Sequence, residues 1–199
     1  MRKDLLEMSK AEAIKDFRLS PEMPILTIIG GSQGSKAINQ VVSASVDDLC
    51  HRLSIQVIWQ TGPLHYDTLS PIESRFSGLR IFPFLERVGP AYSAADLIVS
   101  RAGALTLAET AHCGKPSLLI PFRGASADHQ TRNAKIFEDA GAAEVILESH
   151  LSPERFVKEV ETLITDPRKL SKMGTTARSL STPDAAKEIV NQIVALAEA

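Results

Sequence analysis

The turn Gly30-Gly31-Ser32-Gln33-Gly34 ends an apolar run and leads into a helical pattern that opens at Ser35. Glycines let backbone N–H groups approach a ligand closely. A helix start adds unpaired N–H groups and a partial positive charge, so the chemistry on offer is the holding of an anion, phosphate above all. Ser32 adds a hydroxyl donor. The spacing is not the G-x-G-x-x-G of a dinucleotide site, and no Lys-Ser/Thr follows Gly34 to make a Walker A loop. A tight strand-to-helix turn that binds nothing is the alternative.

Three more clusters have the same placement. Arg101-Ala102-Gly103-Ala104-Leu105-Thr106 also follows an apolar run and opens a helix. The N–H groups of Ala104, Leu105 and Thr106 are unpaired at such a start. Thr106 supplies a hydroxyl, Arg101 a permanent charge, and Glu109 lies one turn further on the face of Leu105 and Thr106. A carboxylate there suits the two hydroxyls of a ribose; plain decoration of a helix start is the other reading. In Asp128-His129-Gln130-Thr131-Arg132-Asn133, Gln130 and Asn133 share a helical face, and amides suit sugar hydroxyls because each both donates and accepts. His129 is either an acid/base or a solvent-exposed loop histidine. Phe84-Leu85-Glu86 sets an aromatic ring and backbone polar groups where a planar base would lie, unless Phe84 is ordinary core. No His-Glu-His or Asp-x-Asp pattern marks a metal site, and no cofactor is expected.

The elements that must carry these clusters alternate. Short apolar, β-branched runs at 25–29, 55–60, 79–84, 97–100, 117–122 and 144–147 predict buried strands. Helices are predicted at 35–53, 64–76, 90–95, 104–113, 128–140, 153–165, 167–180 and 183–199. Pro153, Pro167 and Pro183 sit at first helical positions behind the possible caps Ser152, Asp166 and Thr182. Strands that alternate with helices and lack period-2 polarity imply a parallel sheet covered on both faces. The expected fold is therefore α/β, a Rossmann-like, doubly wound, mostly parallel six-stranded sheet. Such sheets bind ligands beyond the carboxyl ends of their strands, where all four clusters fall.

The 199 residues carry a formal net charge of −2, which offers no overall basic surface for nucleic acid. The only cysteines, Cys50 and Cys113, lack metal-ligand spacing and read as reduced, mostly buried thiols of a cytoplasmic protein. No apolar run approaches the roughly 20 residues that span a bilayer, and Met1-Arg2-Lys3-Asp4 does not open a signal peptide.

Taken in order and spacing, the clusters resemble the MurG family, the UDP-N-acetylglucosamine transferases that add the second sugar of the peptidoglycan lipid precursor. The resemblance rests on Gly-Gly-Ser-Gln-Gly at 30–34, Arg-x-Gly-Ala-x-Thr-x-x-Glu at 101–109, Gly-Lys-Pro-x-x-x-x-Pro at 114–121 and Asp-His-Gln-x-x-Asn-Ala at 128–134. It covers only the C-terminal half of that family's two-domain GT-B architecture. It implies a linker or helical segment over 1–20 and a nucleotide-sugar domain over 21–199. It also implies roles: Gly31, Ser32, Gln33 and Gly34 toward the diphosphate, the Leu85 backbone toward uracil with Phe84 beside the ring, and Arg101, Gly103, Ala104, Leu105 and Thr106 toward phosphate and sugar. Glu109 would hold the ribose, and His129, Gln130 and Asn133 the N-acetylglucosamine. Arg2 matches the arginine that closes the inter-domain linker.

By the same resemblance, the acceptor site, the membrane contact and the general base belong to an N-terminal domain, so no catalytic residue is assigned here. The chain is expected to be a shortened one or one subunit of a split enzyme, as in the two-chain eukaryotic transferase acting on dolichol. The whole enzyme would work at the cytoplasmic face of the membrane. The rival readings are half of a UDP-N-acetylglucosamine 2-epimerase and a non-catalytic nucleotide-sugar-binding subunit; the missing dinucleotide fingerprint argues against a dehydrogenase.

Overall fold

The computed structural model describes residues 3–122, 124, 128–182 and 185–197. Among them, six strands form one sheet: β1 (Ile25–Ile29), β2 (Gln56–Gln60), β3 (Leu79–Phe82), β4 (Leu97–Ser100), β5 (Ser117–Leu119) and β6 (Ala143–Val145). Every neighbouring pair is parallel, in the order β3-β2-β1-β4-β5-β6. The chain thus reverses its direction of winding at β1 and β4, which pair Leu26 with Leu97 and Ile29 with Ser100. This is the doubly wound order, and a crevice opens at its switch point.

The strands read as uninterrupted apolar runs because both faces are covered. Leu26 and Ile28 of β1, with Leu97 and Val99 of β4, face a core completed by α2 (Lys36–Asp47) and α7 (Pro153–Ile164). On α7, Phe156, Val157, Val160 and Leu163 are buried at helical spacing. Each such side chain contributes about 1.5–3 kcal/mol of burial. The alternate residues, Ile25 and Ile29 of β1 and Ile98 of β4, face the opposite layer. That layer holds α1 (Lys10–Asp16), α4 (Gly89–Ala94) and α5 (Ala104–Cys113). On α1, Ala13 and Ile14 pack against Ala91 and Ala94 of α4, so the segment before β1 is part of the core. A capping box starts α1: Ser9 Oγ accepts from the Glu12 N–H, and Glu12 Oε2 accepts from the Ser9 N–H. Between them, α6 (His129–Ala140) and α5 enclose a small core with Leu119 of β5.

Several expected boundaries shift for local reasons. β3 ends at Phe82 because Pro83 has no N–H to donate to the ladder, and β5 ends at Leu119, two residues before Pro121. The helix expected over 64–76 divides into α3 (Pro63–Leu69) and a 3₁₀ turn, Ser70–Arg75, that opens around Pro71. The helix expected over 35–53 continues past α2 as a π-turn, Asp48–Arg52. Ser152 and Asp166 cap α7 and α8 (Pro167–Ser179) by accepting from the Arg155 and Lys169 N–H groups. The helix expected from 183 begins, among the described residues, as α9 (Ala185–Ala197); Pro183 lies outside the described residues.

Candidate functional site

A cleft of about 650 Å³ opens at the carboxyl ends of β1, β4 and β5. Gly31, Gln33 and Gly34 form one wall, Arg101, Gly103 and Thr106 the second, and Phe122, Gln130 and Glu148 the third. Helices α2, α5 and α6 all start here, and none has an acidic residue in its first turn. Gly103 caps α5 without a side-chain bond, so the first N–H groups of that helix are left to a ligand. The positive ends of α2 and α5 thus face one space, with Lys36 at its rim, while the start of α6 carries the carboxylate of Asp128 at its cap.

The glycines of the first wall are favoured before any ligand is considered, Gly31 by its backbone conformation and Gly34 by packing as well. Gly31 and Gly34 have φ of +84° and +78°. A Cβ on Gly34 would lie 2.0 Å from the Thr61 carbonyl oxygen, and one on Gly62 2.4 Å from the Gln33 carbonyl oxygen. The exits of β1 and β2 therefore touch backbone to backbone. Asn39 of α2 locks this contact: its Nδ2 donates to the Thr61 carbonyl at 2.8 Å while its Oδ1 accepts from Trp59 Nε1 at 3.1 Å.

The structure gives several expected site residues partners of their own. Arg101 forms an ion pair with Glu148, donates to the Ile120 carbonyl at 3.0 Å and lies over the Phe122 ring. Its charge, expected to be open to a phosphate, is thus shared with a carboxylate inside the cleft. Gln130 Oε1 accepts from the Phe122 N–H at 3.0 Å, and Asn133 Nδ2 donates to the Ala102 carbonyl at 3.2 Å. Gln130 lines the cleft, whereas Asn133 and Ala104 line a separate hollow of about 210 Å³ between α5 and α6. His129 is exposed at the start of α6.

Glu109 does not open onto the cleft lining; it is buried, with Tyr92 Oη 3.4 Å from its Oε2. Burial, reinforced by the Glu109 carboxylate, pushes the Tyr92 phenol far above its ordinary range, so Tyr92 stays a neutral donor. Phe84 is 46% exposed just past β3, which removes the reading of it as core. Leu85 is buried, and its N–H donates to Gln60 Oε1 at 3.1 Å, so that amide is not free for a base. Ser32 and Leu105 are exposed at the two helix starts. Arg2 lies outside the described residues. Among the described residues no cluster of three or more His, Cys, Asp or Glu side chains is placed to hold a metal ion.

Gln60, Gly62, Tyr92 and Glu148 escape the sequence reading. Gly62 follows a strand as Gly30 does, a signal available in the sequence; the other three become visible only once the strands are ordered.

Residues 25–189 match the family described as glycosyltransferase family 28 C-terminal domain. The UDP-N-acetylglucosamine–N-acetylmuramyl-(pentapeptide) pyrophosphoryl-undecaprenol N-acetylglucosamine transferase of Chlorobium limicola is 39% identical over 190 residues, 96% of this chain and 52% of that protein. The chain thus spans about half the length of such relatives. The crystal structure of Acinetobacter baumannii MurG superposes with a TM-score of 0.79 at 30% identity, over 96% of this chain and 54% of that one. The UDP-GlcNAc 2-epimerase of Neisseria meningitidis shares the fold, with a TM-score of 0.64 at 16% identity over 93% of this chain and 48% of that one.

Proposed function

This chain belongs to the family of glycosyltransferase family 28 C-terminal domains, and from that premise we propose that it is the donor-binding half of an N-acetylglucosaminyltransferase. The donor is UDP-N-acetylglucosamine, the acceptor a lipid-linked sugar of peptidoglycan synthesis, and the remaining half supplies the acceptor site. The observation that carries this reading is the convergence of the starts of α2 and α5, free of acidic residues at cap and first turn, on the cleft at the sheet's switch point.

In the proposed reaction an acceptor hydroxyl attacks the anomeric carbon, and the sugar–phosphate bond breaks with inversion through an oxocarbenium-like transition state. Negative charge grows on the departing diphosphate. The first N–H groups of α5 and the Thr106 hydroxyl border the space where that charge grows, whereas the Gly34 N–H is already spent on the Gly31 carbonyl and holds the turn in shape. Arg101 contributes a field tempered by Glu148. The proton of the acceptor hydroxyl passes to a base outside this half.

Residues 21–199 act as the nucleotide-sugar domain in this reading, and 1–20 as the linker or helical segment that precedes it. Glu109 holds the ribose hydroxyls, with Tyr92 keeping its carboxylate in place. Phe84 meets the uracil. His129, Gln130 and Asn133 belong to the sugar end, the two amides acting from α6 while they fasten the loops at Phe122 and Ala102. The whole protein works at the cytoplasmic face of the membrane, which it touches through its other half. Among the described residues no helix is long and apolar enough to cross a membrane.

Calorimetric titration with UDP tests the reading: saturable binding is expected, and none at millimolar ligand would overturn it. Glu109→Ala is expected to weaken UDP binding by about 1–3 kcal/mol, the scale of hydrogen bonds to a charged group. Unchanged affinity in a folded variant removes Glu109 from the site.

A further inference from the structure

Gln60 ends β2, the strand between β1 and β3, and its side chain is almost fully buried, at 3% exposure for the residue. The two ends of its amide reach in opposite directions. Nε2 donates to the Gly31 carbonyl at 2.8 Å, and Oε1 accepts from the Leu85 N–H at 3.1 Å. Its own backbone carbonyl accepts from the Gly30 N–H at 3.3 Å. One side chain therefore ties the glycine turn after β1 to the loop after β3.

We propose that Gln60 is a positioning residue that holds these two loops at the separation a nucleoside diphosphate requires, so that the base and the diphosphate bind as a coupled pair. The proposal rests on the donor-binding reading above. Two strand spacings separate the exits of β1 and β3, about 10 Å, which a nucleoside diphosphate bridges from base to terminal phosphate. A loop fixed before binding loses no further freedom on binding, so the second end of the ligand attaches at high effective concentration. An amide fits because one contact needs a donor and the other an acceptor, which a single carboxamide supplies. The anchor is itself rigid: Thr61 donates its N–H to the Phe82 carbonyl at 2.9 Å, and Asn39 holds the Thr61 carbonyl.

Gln60→Met keeps the length of the side chain and removes both bonds. In the folded variant, UDP affinity is expected to fall by about tenfold or more while inorganic pyrophosphate affinity changes by less than about threefold. Unchanged UDP affinity overturns the proposal. So does an equal loss for the two ligands, which marks simple damage to the glycine turn. A second measurement uses the unaltered chain: pyrophosphate, which reaches only the turn, is expected to slow hydrogen exchange at the Leu85 amide. An unmoved Leu85 amide overturns the coupling even if the variant does not fold. An unaltered chain that binds neither UDP nor pyrophosphate overturns the donor-binding reading itself, and this inference with it.

Discussion

At the amino ends of β4 and β5, cations close the fold. Lys115 Nζ donates to the Ser93 and Ala95 carbonyls at 3.2 and 2.8 Å, where α4 ends. Arg178 Nη2 donates to the Cys113 carbonyl at 3.0 Å, where α5 ends. Lys10 pairs with Asp96, whose other oxygen accepts from the Ile25 N–H at 3.0 Å. At the carboxyl ends, the starts of α2, α5 and α6 have no acidic residue in their first turns. Helices α4 and α5 leave negative ends below the sheet, and α5 a positive end above it. The protein neutralises the negative ends with its own lysine and arginine, and in the proposed reading the positive ends of α2 and α5 are kept for an anion from outside. Stability and ligand affinity are thereby assigned to opposite edges of one sheet.

Substitutions at the two edges test that division. The largest effect is expected at Gly34, where the edges' roles overlap. Gly34→Ala forces a Cβ to 2.0 Å from the Thr61 carbonyl at a φ of +78°, and is expected to cost about 3 kcal/mol of stability in chemical denaturation. Gly103→Ala meets nothing within 4 Å and should leave stability within about 0.5 kcal/mol. Equal losses would mean that the first wall is no more a structural joint than the second.

The closed edge should also exclude reagents. Burial pushes the Cys113 thiol up to about 11 from 9.0, so at pH 8 it carries about a hundredfold less thiolate than an ordinary cysteine. The sign is set by desolvation, which disfavours the charged form. Alkylation of native Cys113 is expected to be slower than that of a denatured control by at least this factor, measured by mass spectrometry; parity would show that the edge opens. A smaller effect is expected from Lys115→Met: about 2 kcal/mol of stability, with UDP affinity unchanged. A shift in affinity there would break the division of roles.

The fold was legible because strand burial leaves a plain signature. Ile25–Ile29 and Leu97–Ser100 begin and end as expected, each an apolar run between turn residues. Errors fell where a proline or a loop residue continues an apolar run, as at Phe84 and at Pro121-Phe122. The glycine turn and the start of α5 were legible as strand-to-helix turns, and both line the cleft, since helix starts follow from local pattern. Side-chain partners were not. Arg101 meets Glu148, and Gln60 meets Gly31 and Leu85, only because the sheet order brings distant loops together. Local periodicity holds no record of strand order, so the residues that join loops were hidden while residues that line the cleft stood out.

The pairing of β1 with β4 has a consequence for how the site comes into being. Leu26 must find Leu97 across about 70 residues of chain, a far longer closure than any within β1–β2–β3 or β4–β5–β6. The walls of the cleft come from both sides of that join, Gly31 and Gln33 from one and Arg101, Gly103 and Gln130 from the other. Neither half of the sheet owns a binding site in advance. The cleft is created in the act of joining them, so that, in the proposed reading, occupancy by a nucleotide reports that the chain has finished folding.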